Sequence, residues 1–221
     1  VPALILNMSD QEIMWCNDAF MQLAGASDSL FEVSLGEIFP DLSTDWLTEG
    51  KSECPEEAVR DDCRYRVYGD FIRSQDDSGG YLAAMLYFID VTELLNVRDE
   101  YELSRPVVSI ILVDNYDELT SNLPDKSISN LSAQLDDAIT GWAADSTGIL
   151  RRLERNRYLF LFEQRELPHY IDTKFSILDT VRDITNDFGT PATLSIGIGK
   201  DGANLQESYD FASLCIEMSL S

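Results

Sequence analysis

Two hydrophobic spacings alternate along this chain, one with period two and one near 3.6, and they divide it into strands and helices. Residues 3–6 and 12–15 are short apolar runs separated by the polar cluster 7–11, which predicts a hairpin. Asn17 and Asp18 supply an N-cap for a helix over 19–24, and Gly25 stops it. Phe20, Leu23 and Ala24 share one face of that helix. A second short helix is expected over 34–39, ended by Pro40. Residues 43–62 are the most acidic and least patterned part, and no element is assigned there. Residues 65–73 and 81–90 are strand-like, joined by the turn formers Gln75-Asp76-Asp77-Ser78-Gly79-Gly80.

The second half opens with a connecting helix over 93–103, with Leu94, Leu95, Val97 and Tyr101 apolar among charges, stopped at Arg105-Pro106. Residues 107–113 are β-branched and apolar, the mark of a central strand. Helical periodicity follows over 126–145 (Ile128, Leu131, Leu135, Ile139, Trp142). Residues 151–163 then read as two short strands bent at Glu154-Arg155-Asn156. Their second strand carries the run Tyr158-Leu159-Phe160-Leu161-Phe162, expected to be buried on both faces. A second helix is predicted over 170–188 (Phe175, Leu178, Val181, Ile184), a strand over 193–199 and a closing helix over 205–220. The order β-α-β-β-α-β-α fits a ferredoxin-like core, so the fold class is α+β.

Charge changes the picture. The 221 residues carry a net charge of −24. Residues 1–100 hold 6 basic and 21 acidic side chains, and residues 101–221 hold 10 and 19. Such a field repels nucleic acid and anionic membrane surfaces, so a nucleic-acid-binding role is rejected. Against it stand four arginines within seven residues: Arg151, Arg152, Arg155 and Arg157. Two readings of this island are open, ion pairing with nearby carboxylates or phosphate binding. The cysteines Cys16, Cys54, Cys63 and Cys215 show no CxxC spacing, and His169 is the sole histidine, so no zinc site is expected. His169 follows Pro168 in a connection and reads as a surface residue. A reducing cytoplasm is the default compartment. The chain starts inside a strand-like run without an initiator Met, which leads us to expect a fragment with anchoring segments upstream.

The arginine hairpin resembles the signature hairpin of GGDEF domains, the fold of diguanylate cyclases. Laid on Arg152-Leu153-Glu154-Arg155-Asn156-Arg157-Tyr158, the motif places Glu154 and Arg155 at its two glycines, Asn156 and Arg157 at its two acidic positions, and Tyr158 at its Phe. Asp114-Asn115-Tyr116 resembles the opening D-x-D-x-F motif, with Asp114 at the second aspartate and Leu112 at the first. Thr193-Leu194-Ser195-Ile196-Gly197-Ile198-Gly199 resembles the S-[IV]-G-[IV] strand of the family. The resemblance implies that Leu112 and Arg157 replace both metal carboxylates. An apolar side chain cannot coordinate Mg²⁺, so diguanylate cyclase activity is not expected and no metal site is assigned.

In the first half, Ile13-Met14-Trp15-Cys16-Asn17-Asp18-Ala19-Phe20 resembles the I-x-x-x-N-x-A-F of PAS sensor domains, and Asp90-Val91-Thr92-Glu93 resembles their D-[IV]-T-E exit. The implied organisation is a PAS domain over 1–92, a linker helix over 93–105 and a degenerate GGDEF domain over 106–221. That combination is similar to the middle region of GdpP/YybT-type cyclic-di-AMP phosphodiesterases. In that family two transmembrane helices precede the PAS domain, and a DHH/DHHA1 unit follows that hydrolyses cyclic di-AMP with manganese. The resemblance therefore implies a full-length protein at the cytoplasmic face of the membrane, and a homodimer through the PAS domain and linker helix. It also implies haem b in the PAS domain, with Trp15, Cys16 and Phe20 as pocket residues. Residues 1–92 contain no His, so ligation would fall to Cys, Met or Tyr. The plain alternative is that Cys16 and Met14 fill core space and that Trp15, Phe20 and Phe39 are core residues. ATP is the implied nucleotide of the degenerate GGDEF cleft, with Asp114, Arg155, Asn156 and Arg157 facing it.

Three readings compete: a regulatory, non-catalytic segment; a nucleotide-binding module with weak ATPase activity; and a pure dimerisation module. The first accounts for both resemblances at once and is the one expected here.

Overall fold

The computed structural model describes residues 1–73 and 82–220. The chain divides into two compact units, Val1–Arg98 and Asp99–Ser221.

The first unit contains β1 (Ala3–Asn7), β2 (Ile13–Cys16), α1 (Asp18–Ala24), α2 (Leu35–Ile38), α3 (Asp45–Thr48), β3 (Ala58–Arg60), β4 (Cys63–Arg73) and β5 (Leu82–Asp90). Its strands form an antiparallel sheet in the order β2-β1-β5-β4-β3. The first hairpin thus lies against the last strand, the arrangement of a PAS fold. Asn17 joins the hairpin to α1: its Oδ1 accepts from Phe20 N at 2.9 Å and from Ala3 N at 3.0 Å. Gly25 ends the helix at φ +66°, where a side chain would be strained. The acidic stretch 43–62 holds α3 and β3, which its weak patterning does not announce. Burial of Trp46 and Leu47 organises α3, and Trp46 Nε1 donates to Ser43 O at 2.9 Å. The turn expected at 75–80 and Tyr81, the first residue of its following strand, lie outside the described residues.

At the exit of β5, Asp90 Oδ1 accepts from Thr92 N at 3.0 Å and from Thr92 Oγ1 at 2.7 Å. Thr92 Oγ1 in turn accepts from Arg64 N at 2.8 Å. This lock fastens the start of α4 (Thr92–Ser104) to β4.

The second unit contains β6 (Pro106–Val113), α5 (Tyr116–Thr120), α6 (Asp125–Ala143), β7 (Ile149–Arg152), β8 (Arg157–Glu163), α7 (Leu167–Asp172), α8 (Ile177–Arg182), β9 (Leu194–Gly199) and α9 (Leu205–Leu220). Its antiparallel sheet runs β7-β8-β6-β9. One face packs against α6, α7 and α8, burying Ile111, Leu135, Ile139, Phe160 and Val181. The other packs against α9, where Val108 and Ile110 meet Ala212 and Ile216, with Leu112, Leu159 and Leu161 around them. β8 is accordingly apolar on both sides, alternating between the two clusters. A Cβ on Gly199 would lie 1.7 Å from Ser208 O, and one on Gly197 would lie 2.1 Å from Ala212 O. The glycines of β9 therefore let the backbone of α9 press directly on the sheet.

The single helix expected over 170–188 is absent. It is replaced by α7 and α8, separated at Lys174 and Phe175, whose φ values are +51° and +50°. The break lets the Phe175 ring stack on Tyr170, 6.1 Å between centroids. The end of the stretch is claimed by the buried Asn186, whose Oδ1 accepts from Phe188 N and Thr190 N while Nδ2 donates to Leu119 O. A short polar side chain that satisfies a turn this way outcompetes helix propensity.

Candidate functional site

The hairpin β7–β8 turns at Glu154-Arg155-Asn156, closed by Leu153 N donating to Arg157 O at 2.8 Å. Its side chains divide between the two sheet faces. On the α6 face, Tyr158 is fully buried and its hydroxyl donates to Asp136 Oδ1 at 2.9 Å. Burial and that hydrogen bond push the phenol well above its ordinary range. The Arg152 guanidinium lies 5.4 Å from the Tyr158 ring centroid and donates to Ser132 Oγ at 2.9 Å, to Asp136 Oδ1 at 3.5 Å and to the carbonyls of Glu154 and Arg155. Arg152 is thus a strut between the hairpin and α6. Arg155 is exposed and forms no ion pair among the described residues. It borders an open groove of about 390 Å³ lined also by Tyr116, Ser129, Ser132, Asp136 and Arg152.

The opposite face carries the positions where the cyclase motifs have carboxylates. Leu112 and Arg157 are cross-strand partners on β6 and β8. Leu112 packs into the apolar cluster under α9. Arg157 Nη2 donates to Ser213 Oγ at 3.3 Å, and its guanidinium lies 6.0 Å from the Tyr209 ring centroid, both on α9. Its Nε is buried without a partner. Asp114 N donates to Thr193 O at 3.0 Å. Burial pushes the Asp114 carboxyl up from its ordinary value, with Ser195 and Thr193 acting in the opposite direction, and its Oδ1 is buried without a partner.

Of the four residues expected to face one nucleotide cleft, Asp114, Asn156 and Arg157 lie at the same end of the β6–β8 pair, and Arg155 borders a groove beside α6. Arg155 faces the groove beside α6, Arg157 turns to α9, Asp114 is held beside β9, and Asn156 contributes its carbonyl to Val113 N at 2.8 Å. Arg157 is the first residue of β8 and falls on the α9 face with Leu159 and Leu161, whereas Arg155 lies in the turn, outside the strand's alternation. The sequence reading missed Ser132 and Asp136. Their i,i+4 spacing on α6 was the available signal.

The PAS-pocket residues separate as well. Trp15 is 49% exposed and Met14 44%, so neither belongs to the core. Cys16 is half-buried, and burial, then the nearby Asp18 charge, push its thiol up, which disfavours the thiolate that would ligate iron. Phe20 is fully buried and packs 5.2 Å from Phe88, which stacks at 5.2 Å on Phe39 with Tyr65 edge-on to both. These rings occupy the space between sheet and helices. Phe39, Phe88 and Tyr65 take the space beside Phe20, Trp15 points outward and Cys16 is held toward the thiol, so Trp15, Cys16 and Phe20 do not together line one haem pocket.

Comparison with known proteins places these observations in context. Residues 111–221 match the family described as cyclic-di-AMP phosphodiesterase GdpP-like, GGDEF domain. Over 136 residues, 62% of the chain, it is 35% identical to the cyclic-di-AMP phosphodiesterase GdpP of Bacillus subtilis and 30% identical to the cyclic-di-AMP phosphodiesterase PdeA of Listeria monocytogenes. The match spans 21% of the length of each of these relatives. Among solved structures, the FimX GGDEF domain of Pseudomonas aeruginosa aligns with a TM-score of 0.46 at 18% identity, covering 58% of this chain and 86% of that one.

Proposed function

Since the chain belongs to the family of GdpP-like cyclic-di-AMP phosphodiesterase GGDEF domains, we propose that it is the regulatory, non-catalytic segment of such a phosphodiesterase. The hydrolytic unit lies outside it, and the full-length protein is anchored at the cytoplasmic face of the membrane. The observation that supports this reading is the Leu112–Arg157 pair. Nucleotidyl transfer needs carboxylate-held cations to neutralise the phosphates. Here that position offers an apolar side chain and a cation, both packed against α9. The PAS unit supplies the input, and the Asp90–Thr92–Arg64 lock gives it a fixed grip on α4, the helix that leads into the second unit. Leu94, Val97 and Tyr101 lie exposed on α4 at i, i+3 and i+7, the spacing of a helical dimer seam. The test is incubation of the chain with GTP and Mg²⁺ or Mn²⁺. No cyclic di-GMP is expected, and product formation would overturn the non-catalytic reading. In the full-length protein, Thr92→Val is expected to change cyclic-di-AMP hydrolysis, and unchanged rates would remove the PAS unit from the relay.

A second reading, nucleotide binding, is favoured by one observation: the groove beside α6 is open and Arg155 at its rim is unpaired. ATP titration by calorimetry decides it. Binding abolished in Arg155→Ala but retained in Arg157→Ala supports this reading, and heat unaffected by Arg155→Ala excludes it.

A further inference from the structure

The two faces of the five-stranded sheet in the first unit differ. Leu4, Leu6, Val67, Ala84, Leu86 and Phe88 point into the core beneath the helices. Side chains alternate along each strand, so the residues between these point the other way. Register sets them in rows across the sheet: Trp15, Ile5, Met85 and Asp70 in one, Ala3, Tyr87 and Tyr68 in the next, Ile89 and Arg66 in the third. Tyr68 and Tyr87 stack at 5.7 Å between centroids. Trp15 and Met85 are exposed, and Ile5, Tyr68, Tyr87 and Ile89 are half-buried. A contiguous apolar face of this kind marks an interaction surface.

Its charges are placed symmetrically about its centre. On β4, Arg66 stands two residues to one side of Tyr68 and Asp70 two residues to the other, and both are exposed. Asp70 forms no ion pair or hydrogen bond among the described residues, and Arg66 is 3.7 Å from Glu53, a loose pair in solvent. A two-fold axis lying against the face and crossing β4 at Tyr68 reverses the strand, and so sets Arg66 of one copy over Asp70 of the other, twice. The same rotation sets Tyr68 over Tyr68, Tyr87 over Tyr87 and Met85 over Ile89. The face is thus complementary to itself in charge and in apolar character, as an isologous interface requires. Two chains of net charge −24 repel one another at long range. A face that holds a second copy must therefore carry its own compensation, and these rows supply it.

We propose that two copies of the chain pair sheet to sheet through this face, with Arg66 of each against Asp70 of the partner subunit and the tyrosines at the centre. Sheets packed face to face stand about 10 Å apart with their strands within about 30° of alignment, close enough for these side chains to meet. No residue of the α4 seam is used.

The test is sedimentation equilibrium of the chain at micromolar concentrations, alone and in charge variants. The parent is expected to dimerise. Arg66→Asp and Asp70→Arg each set like charges against one another at two symmetric contacts, and each variant alone is expected to dimerise at least about tenfold more weakly. An equimolar mixture of the two variants restores opposite charges at both contacts. It is expected to form heterodimers with a Kd within about threefold of the parent's, and the double variant is expected to do the same as a homodimer. Recovery in the mixture excludes misfolding as the cause of the loss. A parent chain that stays monomeric, a dimer that neither single variant weakens, or a mixture no tighter than its components would overturn the proposal.

Discussion

Gly199→Ala tests whether α9 rests on β9 backbone to backbone. The added methyl would meet Ser208 O at 1.7 Å and Ala212 N at 2.8 Å, both main-chain atoms of a helix with no room to yield. Overpacking against flexible side chains costs about 1–3 kcal/mol. Here the helix itself must move, so about 3 kcal/mol is the expected loss. Gly141→Ala is the internal control. Gly141 lies inside α6 with nothing within 4 Å of a built Cβ, so alanine there is expected to stabilise by about 0.5–1 kcal/mol through the unfolded chain and helix propensity. Urea unfolding followed at the Trp142 indole resonance reports on this unit alone. With a slope of roughly 1.5–2 kcal/mol/M, the Gly199→Ala midpoint should fall by about 1.5–2 M and the Gly141→Ala midpoint rise by a few tenths. A Gly199→Ala midpoint within about 0.3 M of the parent would refute the close approach and the packing of Leu112 that goes with it.

Tyr158→Phe removes a buried donor to a carboxylate and should destabilise the second unit by about 1.5–3 kcal/mol, read from the same transition. The Asp90 carboxyl is held below its ordinary value by the Thr92 side-chain and main-chain hydrogen bonds. Its stabilising contribution is therefore complete above about pH 4 and lost as pH falls through the lowered folded-state value. Thr92→Val should flatten that acid dependence in an acid-unfolding series, and an unchanged profile would remove the lock. Haem added to the chain should give no stoichiometric Soret band, because Phe20, Phe39 and Phe88 fill the interior. A saturable band would mean that this cluster opens.

Long patterned stretches were legible in the sequence because one force governs each. The stripe Leu131, Leu135, Ile139 places α6 unaided, and the aromatic run of β8 is flanked by two cores as its composition implies. Legibility failed where a single side chain outweighs the pattern. Asn186 and the left-handed Lys174 and Phe175 break a helix that the spacing of Phe175, Leu178, Val181 and Ile184 requires. Trp46 builds α3 within an acidic stretch whose average composition argues for none. The site divided along the same line. Motif positions could be matched one by one, but where each side chain goes depends on where strand gives way to turn: Arg157 is held in β8 against α9, while Arg155, in the turn, borders the groove beside α6.

The Leu112–Arg157 pair also bears on reversibility. Aspartate at 112 would place a charge among Leu159, Leu161 and Tyr209, in the apolar cluster on which α9 rests. Reinstating two carboxylates would then unseat α9 before it rebuilt a metal site. The face that carries these two positions is a joint that bears load, so introducing metal carboxylates there requires redesigning the helix–sheet contact as well as the two residues.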